Sequence, residues 1–401
     1  MKGVCLMKKQ TYKMVIGGVV ALMIAMGIGR FSYTPILPLM QGHLHFSDTV
    51  AGLLASSNYA GYLVGAIGTM VFSYTASRER YLQISLLISI GTTCAMGLTD
   101  HILLFHLLRF LSGIASAYIF VLASSIVLDY LAKIGKAKLS GILYAGVGLG
   151  ILFSSFFIPS FYRISSWQGT WIGLAIISVI LFFLPLLFIR RQPVMKTANG
   201  LSEVPAIAIP EKSWFPFLTI AYGLEGFGYI ITGTFIVAMA EQSTSFTGNA
   251  TTVWMVAGIC AIPSCMIWAE MADRFGYMKI LTIIFCLQAI GIILPAIHEH
   301  AIMFYGSAIL FGVTFMGITT ITTTVARQMF PVNSSKVLGF LTVIYATGQM
   351  VGPAIGGWLA DATNSYIAIL WGAGLIVGLG GVLIATGMKY DKKGDELNAI
   401  R

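Results

Sequence analysis

The sequence predicts an all-α integral membrane protein with twelve transmembrane helices in two six-helix, pseudo-symmetric bundles. Three observations lead to this prediction: an apolar composition, a one-sided distribution of basic residues, and an internal repeat. The 401-residue chain is 57% hydrophobic and only 10% charged, whereas about a quarter of the residues in a soluble globular protein are charged. Apolar runs of about 20 residues, long enough to cross a bilayer as a helix, recur along the whole chain.

The apolar runs divide into twelve predicted spans. The first is not a cleavable signal peptide, because its apolar part is far longer than the roughly 7–15 residues of such a segment and further spans follow at once. The spans cover roughly residues 14–40, 47–73, 81–98, 101–128, 138–161, 167–189, 214–240, 250–272, 278–297, 302–328, 337–360 and 366–388.

Nearly all basic residues fall on one side of this arrangement. Of the 24 lysines and arginines, all but Arg30, Arg109 and Arg163 lie in the termini, in the linker 190–213, or in loops that follow even-numbered spans. The opposite loops carry mainly histidines and acids. Cytoplasmic loops are enriched in Lys and Arg, so we expect an inner-membrane protein with both termini in the cytoplasm. This topology explains the net charge of +9 better than binding to nucleic acid does.

The two halves of the chain repeat one pattern. The linker 190–213 is the only long polar break, and it separates a predicted N-terminal bundle (1–189) from a C-terminal bundle (214–401). The repeat has a near-constant offset of about 197 residues, and parallel repeats around a midplane site are typical of transporters. The matching segments are GIGRFSY (27–33) with GLEGFGY (223–229), and LSGILYAGVGLG (139–150) with VLGFLTVIYATG (337–348).

One loop carries a family resemblance. The segment AEMADRFGYMK (269–279) resembles the cytoplasmic loop signature of the major facilitator superfamily, with Asp273, Arg274 and Gly276 at the matching positions. The resemblance implies the major facilitator fold for the whole chain. It also implies that these three residues form a cytoplasmic gate, in which charges at helix ends hold that side closed. A plain surface turn on the basic side is the alternative.

Two further segments resemble motifs of proton-coupled antiporters in that superfamily. LLRFLSGIASA (107–117) has Arg109 and Gly113 at the spacing of the helix 4 motif. GFLTVIYATGQMVGPAIGG (339–357) fits the glycine–proline pattern, although on predicted span 11 instead of span 5. The alternative is that these positions let helices pack closely or hinge. The packing and hinge candidates are Gly113, Gly348, Gly352 and Pro353.

The glycine-rich parts of spans 1 and 7 resemble a particular branch. GIGRFSYTPILPLMQ (27–41) and GFGYIITGTFIVAMA (226–240) together are similar to the YbfB/YjiJ-type branch of the superfamily. In the superfamily, spans 1, 4, 7 and 10 line a central cavity. Pro35 and Pro38 are expected to bend or loosen the outer part of span 1, as gating elements would.

The deep charges fall on those cavity-lining spans. Ionised side chains within a bilayer are costly and normally face a bundle interior or a wet cavity. We therefore predict that Arg30 and Arg109 bind substrate, and that Glu225, assisted by Arg109, carries a coupling proton. Two alternatives remain: a static Arg30–Glu225 pair that joins the halves, and an Arg109 that only bonds to backbone.

Polar side chains complete the predicted site. The further substrate-binding candidates are Tyr33, Asn58, Tyr222, Tyr229 and Thr320, and Tyr62, Tyr144 and Gln349 are additional polar residues of the same spans or their neighbours. For each of them, a hydrogen bond that serves helix packing is the alternative interpretation.

The favoured function is secondary active transport of a small organic solute by alternating access, with proton coupling. Two deep arginines against one glutamate favour an anionic or zwitterionic substrate. Proton-driven efflux of drugs or metabolites is the main alternative. A membrane-embedded enzyme is less favoured because no convergent nucleophile or metal cluster is found, and a transporter-like sensor because the long signalling domain expected of one is not seen in the sequence. We expect no cofactor other than coupling protons, no metal, no nucleic acid, and a monomer whose partners are substrate and lipid.

Overall fold

The chain is helical throughout the part that the structure describes. The computed structural model describes residues 2–71, 77–136, 139–189, 210–331 and 333–391, and these ranges contain no β-strand. The predicted linker lies largely outside them, since residues 190–209 are not described. The α-helices are α1 (Lys2–Leu22), α2 (Tyr33–Leu44), α3 (Asp48–Val71), α4 (Arg78–Met96), α5 (Ile102–Lys133), α6 (Ser140–Phe188), α7 (Phe215–Gln242), α8 (Thr251–Phe275), α9 (Tyr277–Ile297), α10 (Ala301–Met329), α11 (Ser334–Thr363) and α12 (Ile367–Ala385).

Ten helical segments of the described residues are long and apolar enough to cross a membrane. Two of the twelve predicted spans do not appear among them as separate segments. Helix α4 is one, because it begins with the charged residues Arg78, Glu79 and Arg80 and is only 19 residues long. The other is merged into α6, which unites two predicted spans.

Helix α6 reverses direction near its middle. Ser165 and Ser166 have non-helical backbone angles, with φ at −150° and +60°. The ring of Phe161 lies 2.8 Å from where a Cβ atom on Gly173 would stand. In a continuous helix, positions twelve residues apart are separated by about 18 Å. The two halves of α6 therefore fold back on each other at Ser165–Ser166.

The first predicted span is interrupted. Helix α1 continues into a π-helix at Met23–Ile28, and α2 begins only at Tyr33. The N–H of Gly29 reaches the carbonyl of Ile24 at 2.8 Å, an i→i−5 bond. Pro35 is the third residue of α2, a place where the missing N–H of proline costs little. The break thus precedes Pro35, while Pro38 lies inside α2.

Close crossings bring helix backbones into contact at glycines. A Cβ atom on Gly113 of α5 would lie 2.0 Å from the carbonyl oxygen of Asn58 on α3. Small residues permit such approaches within membranes. The corresponding contacts of α11 are Gly348 with the carbonyl of Gly223 at 2.4 Å, Gly352 with that of Phe227 at 2.4 Å, and Gly357 with that of Asp48 at 2.0 Å; Gly52 of α3 meets the carbonyl of Pro353 at 2.0 Å.

The α3–α11 crossing is completed by a carboxylate. Asp361, near the end of α11, accepts hydrogen bonds from the backbone N–H groups of Asp48 at 3.0 Å and Thr49 at 2.8 Å. These are free donors of the first turn of α3. This contact between the two halves of the chain lies at the end of the molecule opposite the basic loops, which we call the outer side.

The central segments are buried unevenly along their length. Every residue of 20–37 and of 228–240 is buried, and these stretches form the outer parts of the first span and of α7. Toward the basic side, both segments alternate between buried and exposed positions, with Ile16 and Ile220 exposed. The central segments are therefore completely buried toward the outer side and only partly buried toward the basic side.

Candidate functional site

Arg30 lies at the centre of an aromatic and amide cage. The residue is 2% exposed, and its guanidinium carbon stands 4.6 Å and 4.3 Å from the ring centres of Tyr59 and Tyr62. Its Nη2 donates a 2.9 Å hydrogen bond to Oε1 of Gln349. The Gln349 amide in turn donates to the hydroxyl of Tyr229. Nε of Arg30 is buried without a hydrogen-bond partner.

Arg109 binds the backbone of the interrupted span. Its Nη1 and Nη2 donate to the carbonyls of Gly29 at 3.3 Å and Arg30 at 3.4 Å. These carbonyls lie between the π-helix and α2, where the regular helical bonds are lost. The guanidinium also lies 4.6 Å from the ring centre of Tyr33, and Asn58 donates to the Arg109 carbonyl at 2.9 Å. Arg109 thus contacts the backbone of the interrupted span and the ring of Tyr33.

The second half of the chain supports the same stretch. Nε1 of Trp254, on α8, donates a 3.1 Å hydrogen bond to the carbonyl of Phe31. Proline at position 35 removes the N–H that would ordinarily bond to this carbonyl. The hydroxyl of Thr34 donates to the carbonyl of Gly233 on α7. Both halves of the chain therefore hold the interrupted segment.

Glu225 points away from Arg30. It is completely buried, and neither carboxyl oxygen has a hydrogen-bond partner. Gln288 of α9 and Tyr345 of α11 are the polar side chains that face it, and both polar atoms of the Gln288 amide also lack partners. A direct Arg30–Glu225 pair is absent. The ion pairs of the described residues are Arg78–Asp129 at 2.7 Å and Arg274–Glu270 at 2.6 Å.

The centre therefore holds two guanidinium groups that have no carboxylate counter-charge among the described residues. No acidic side chain in the described ranges lies within 4 Å of Arg30 or Arg109. Burying an ionised group without a partner is costly. The cost is reduced here by the aromatic rings over both guanidiniums and by the amide and backbone oxygens that they contact.

A stack of tyrosines extends from this centre toward the basic side. The rings of Tyr222 and Tyr345 are 4.3 Å apart and nearly parallel, at 12°. Tyr345 also stacks with Tyr229 at 5.8 Å and 13°, and Tyr229 with Phe315 at 6.1 Å and 11°. The hydroxyl of Tyr222 donates to Thr319 on α10 at 3.4 Å. The stack thus connects the surroundings of Glu225 with those of Arg30.

Helix α10 supplies a polar stripe beside the stack. Thr320 donates to the carbonyl of Met316 at 2.8 Å and lies 3.3 Å from the sulfur of Cys265. The stripe runs toward the basic side, where its last member is exposed. Its half-buried members are Thr319, Thr320, Thr323 and Thr324, and Arg327 is the exposed one.

The predicted gate residues contact their own half of the chain. The hydroxyl of Tyr277 donates to Asp273, and Arg274 pairs with Glu270 one turn earlier. Gly276 has φ +97°, in the left-handed region that favours glycine. The carboxylate of Asp391 lies 2.6 Å from where its Cβ would be. Asp391 accepts from the backbone N–H groups of Met278 at 3.2 Å and Lys279 at 2.7 Å.

Sequence reasoning found part of this site. Arg30, Tyr33, Asn58, Arg109 and Tyr229 form one connected network, while Tyr222 and Thr320 lie at its edge and Glu225 on another face of α7. The sequence analysis did not identify Tyr59, Tyr345, Trp254 and Gln288. The signal for two of these was present: Tyr59 is three residues from Tyr62 and Tyr345 is four from Gln349, spacings that place side chains on one helix face.

The comparisons with known proteins agree with this architecture. The sequence profile of the family described as "Uncharacterised MFS-type transporter YbfB" matches residues 22–385. The chain belongs to this family of major facilitator transporters, and it is a multi-pass membrane protein, not an enzyme.

Relatives and solved structures extend the likeness. The chain is 22% identical to the "Cis,cis-muconate transport protein" of Acinetobacter baylyi over 375 residues, covering 88% of this chain and 89% of that protein. It is 21% identical to "Multidrug resistance protein 2" of Bacillus subtilis, covering 91% and 93%. The crystal structure of the nucleoside transporter NupG has the same fold, with a TM-score of 0.69 at 16% identity over 95% of this chain and 98% of that one.

Proposed function

We propose that the protein is a secondary transporter that moves a small organic anion or zwitterion across the cytoplasmic membrane. The observation that carries this proposal is the pair of buried guanidiniums, Arg30 and Arg109, without a carboxylate partner in the described ranges. A substrate carboxylate would supply the missing counter-charge at Arg30. The similarity to a muconate transport protein supports the same class of substrate.

The proposed architecture is twelve spans in two six-helix bundles. The reversal within α6 divides it into two segments, each of which is long enough to cross the hydrocarbon region at about 1.5 Å per residue. Helix α4 supplies the remaining span. The one-sided lysines and arginines favour cytoplasmic termini in an inner-membrane monomer, with the basic side facing the cytoplasm.

Alternating access is supported by the uneven burial of the central segments. The backbone contacts of Gly52 and Gly357 and the hydrogen bonds of Asp361 join the halves on the outer side. Toward the basic side the central segments are only partly buried. We infer an inward-facing conformation, in which the described contacts of Asp273, Arg274 and Gly276 lie within their own half and the three residues would meet the first half when the cytoplasmic side closes.

The residues divide into three proposed roles. Arg30, Tyr229, Tyr222 and Thr320 bind substrate directly. Arg109 positions the Arg30 side chain, because it bonds to the carbonyls of Gly29 and Arg30. Tyr33 and Asn58 support Arg109, through a ring contact and a hydrogen bond. Glu225 is the proposed proton carrier, because it is a completely buried carboxyl with no ion pair to a described residue, and an unpaired charge is costly to bury.

Proton-driven efflux is the second candidate. The similarity to a multidrug resistance protein and the glycine–proline pattern at 339–357 favour it. Proteoliposomes with an imposed pH gradient separate the two candidates. Organic acids should accumulate on the alkaline side if the protein is a proton symporter. Movement of cationic drugs toward the acidic side, with no transport of acids, would instead establish efflux.

A further inference from the structure

Along one edge of the Arg30 guanidinium, only one of the two nitrogen donors has a hydrogen-bond partner. Nε and Nη2 present their hydrogens along the same side of the planar group, and a carboxylate binds this edge with two parallel hydrogen bonds. Nη2 is occupied by the amide oxygen of Gln349 at 2.9 Å. Nε, next to it, is buried and has no partner. A donor of this strength is rarely left unsatisfied in a protein interior.

Gln349 offers Arg30 one neutral oxygen. Its single amide oxygen can bond with Nη2, but it carries no charge to offset the guanidinium. Its nitrogen is directed at the hydroxyl of Tyr229. The amide thus resembles half of the ligand that this edge is built to bind, and a carboxylate in its place would satisfy both donors.

The surroundings of this edge are flat aromatic surfaces. Tyr59 and Tyr62 cover the guanidinium. Beyond Gln349, the rings of Tyr229, Tyr345 and Tyr222 lie nearly parallel, with interplanar angles of 12° and 13°. A planar conjugated acid that reaches this edge can contact such rings edge-to-face or in an offset arrangement, which a saturated ring cannot do.

We propose that the Nε–Nη2 edge of Arg30 and the tyrosine stack form a subsite for the carboxylate of a flat, conjugated organic acid. Gln349 occupies the carboxylate position while the subsite is empty and moves aside when the acid binds. The proposal rests on the function proposed above and names its substrate class.

Benzoate and cyclohexanecarboxylate test this subsite, because they carry the same carboxylate on a flat and on a puckered six-membered ring. Isothermal titration of the full-length protein in detergent should give roughly tenfold tighter binding for benzoate, the range expected for an aromatic contact. Arg30→Lys should lose both ligands, because an ammonium cannot present two parallel donors. Gln349→Glu should also lose both, since its own carboxylate fills the edge.

The Gln349→Met variant is included because misfolding of Arg30→Lys or Gln349→Glu would also abolish binding, whereas it cannot produce a gain. It removes the amide oxygen that competes for Nη2 without adding a charge, so benzoate should bind several-fold more tightly than to the wild type. Unchanged or weaker binding to Gln349→Met, or normal binding to a folded Gln349→Glu, would overturn the assignment of the Arg30 edge.

Different results would refute the flat-acid substrate class and the organic-anion transport function. Equal affinity for benzoate and cyclohexanecarboxylate would refute the flat-acid class while leaving an organic-anion transporter intact. If neither acid binds and proteoliposomes transport only cations, the proposed function itself is wrong.

Discussion

The indole of Trp254 donates a hydrogen bond to the carbonyl of Phe31, 223 positions away along the chain, at 3.1 Å. That carbonyl is the one left free by Pro35. A side chain from the second half of the protein thus completes the backbone hydrogen bonding of the first. The interrupted segment beside Arg30 therefore takes part in hydrogen bonds with the second half of the chain.

Trp254→Phe should destabilise the protein more than an equally buried control. The substitution keeps an aromatic ring but leaves the Phe31 carbonyl unsatisfied, which costs about 1–3 kcal/mol. Trp171→Phe is the matched control, because Trp171 is also buried and its Nε1 has no partner. Apparent midpoints of thermal unfolding in detergent measure the difference. Equal losses in the two variants would show that the hydrogen bond contributes nothing.

Glu225→Gln should separate exchange from accumulation. The amide mimics a protonated carboxyl and cannot release a proton, so substrate exchange across proteoliposomes should persist while pH-driven accumulation is lost. Glu241→Gln, at the exposed end of the same helix, should retain both activities. If the Glu225→Gln variant accumulated substrate at the wild-type level, Glu225 could not be the proton carrier.

Arg109→Lys should lower both transport modes together. A lysine cannot donate to the carbonyls of Gly29 and Arg30 at once, so the interrupted segment loosens and the Arg30 side chain is misplaced. We expect a lower unfolding midpoint and similar fractional losses in exchange and in accumulation. The exposed Arg163→Lys change serves as a control. Selective loss of accumulation would instead assign Arg109 to proton transfer.

Gly357→Ala should open the outer side. Its Cβ would lie 2.0 Å from the carbonyl oxygen of Asp48, so α3 and α11 must separate where they close the structure. Gly372→Ala is the control, because nothing lies within 4 Å of its Cβ. A cysteine placed at Thr34 should react faster with a membrane-impermeant thiol reagent in the Gly357→Ala background. An unchanged rate would mean that this crossing does not control outer access.

The membrane orientation is open to direct measurement. In a background lacking the native cysteines, Glu299→Cys should be modified by an impermeant reagent added to intact cells, and Lys279→Cys only after the membrane is permeabilised. Both positions are exposed. The opposite labelling pattern would invert the proposed topology and place the termini outside.

The sequence was sufficient to predict the helical class and the burial of Arg30, Arg109 and Glu225. It was not sufficient to predict the direction in which these side chains leave their helices. Apolar runs and the positions of charges depend only on the order of residues along the chain, so they can be recognised without knowledge of tertiary contacts. Direction depends on rotation about a helix axis, and one residue corresponds to about 100° of it. The repeat aligns Glu225 with Gly29, one residue from Arg30, so the two side chains leave their helices on different faces.

Partners distant in sequence were also beyond prediction. Gln349 and Arg30 are 319 positions apart, and no local pattern in a single sequence connects them. Likewise, the prolines predicted a bend in span 1, but the π-helix at Met23–Ile28 and the role of Trp254 depend on how the second half packs. Helix α6 differs in the opposite way, because the sequence predicted two spans where the structure has one helical segment. The turn at Ser165–Ser166 keeps helical hydrogen bonding on both sides, so the two spans run together.

The contact of Asp361 with the start of α3 has a consequence for how this protein tolerates mutation. Its carboxylate binds main-chain N–H groups at positions 48 and 49, and every residue except proline supplies that group. Substitutions of the Asp48 side chain should therefore leave these two main-chain hydrogen bonds intact, whereas a change at Asp361 removes both. The two positions thus differ in what they require: position 361 needs a carboxylate, and position 48 needs only a main-chain N–H.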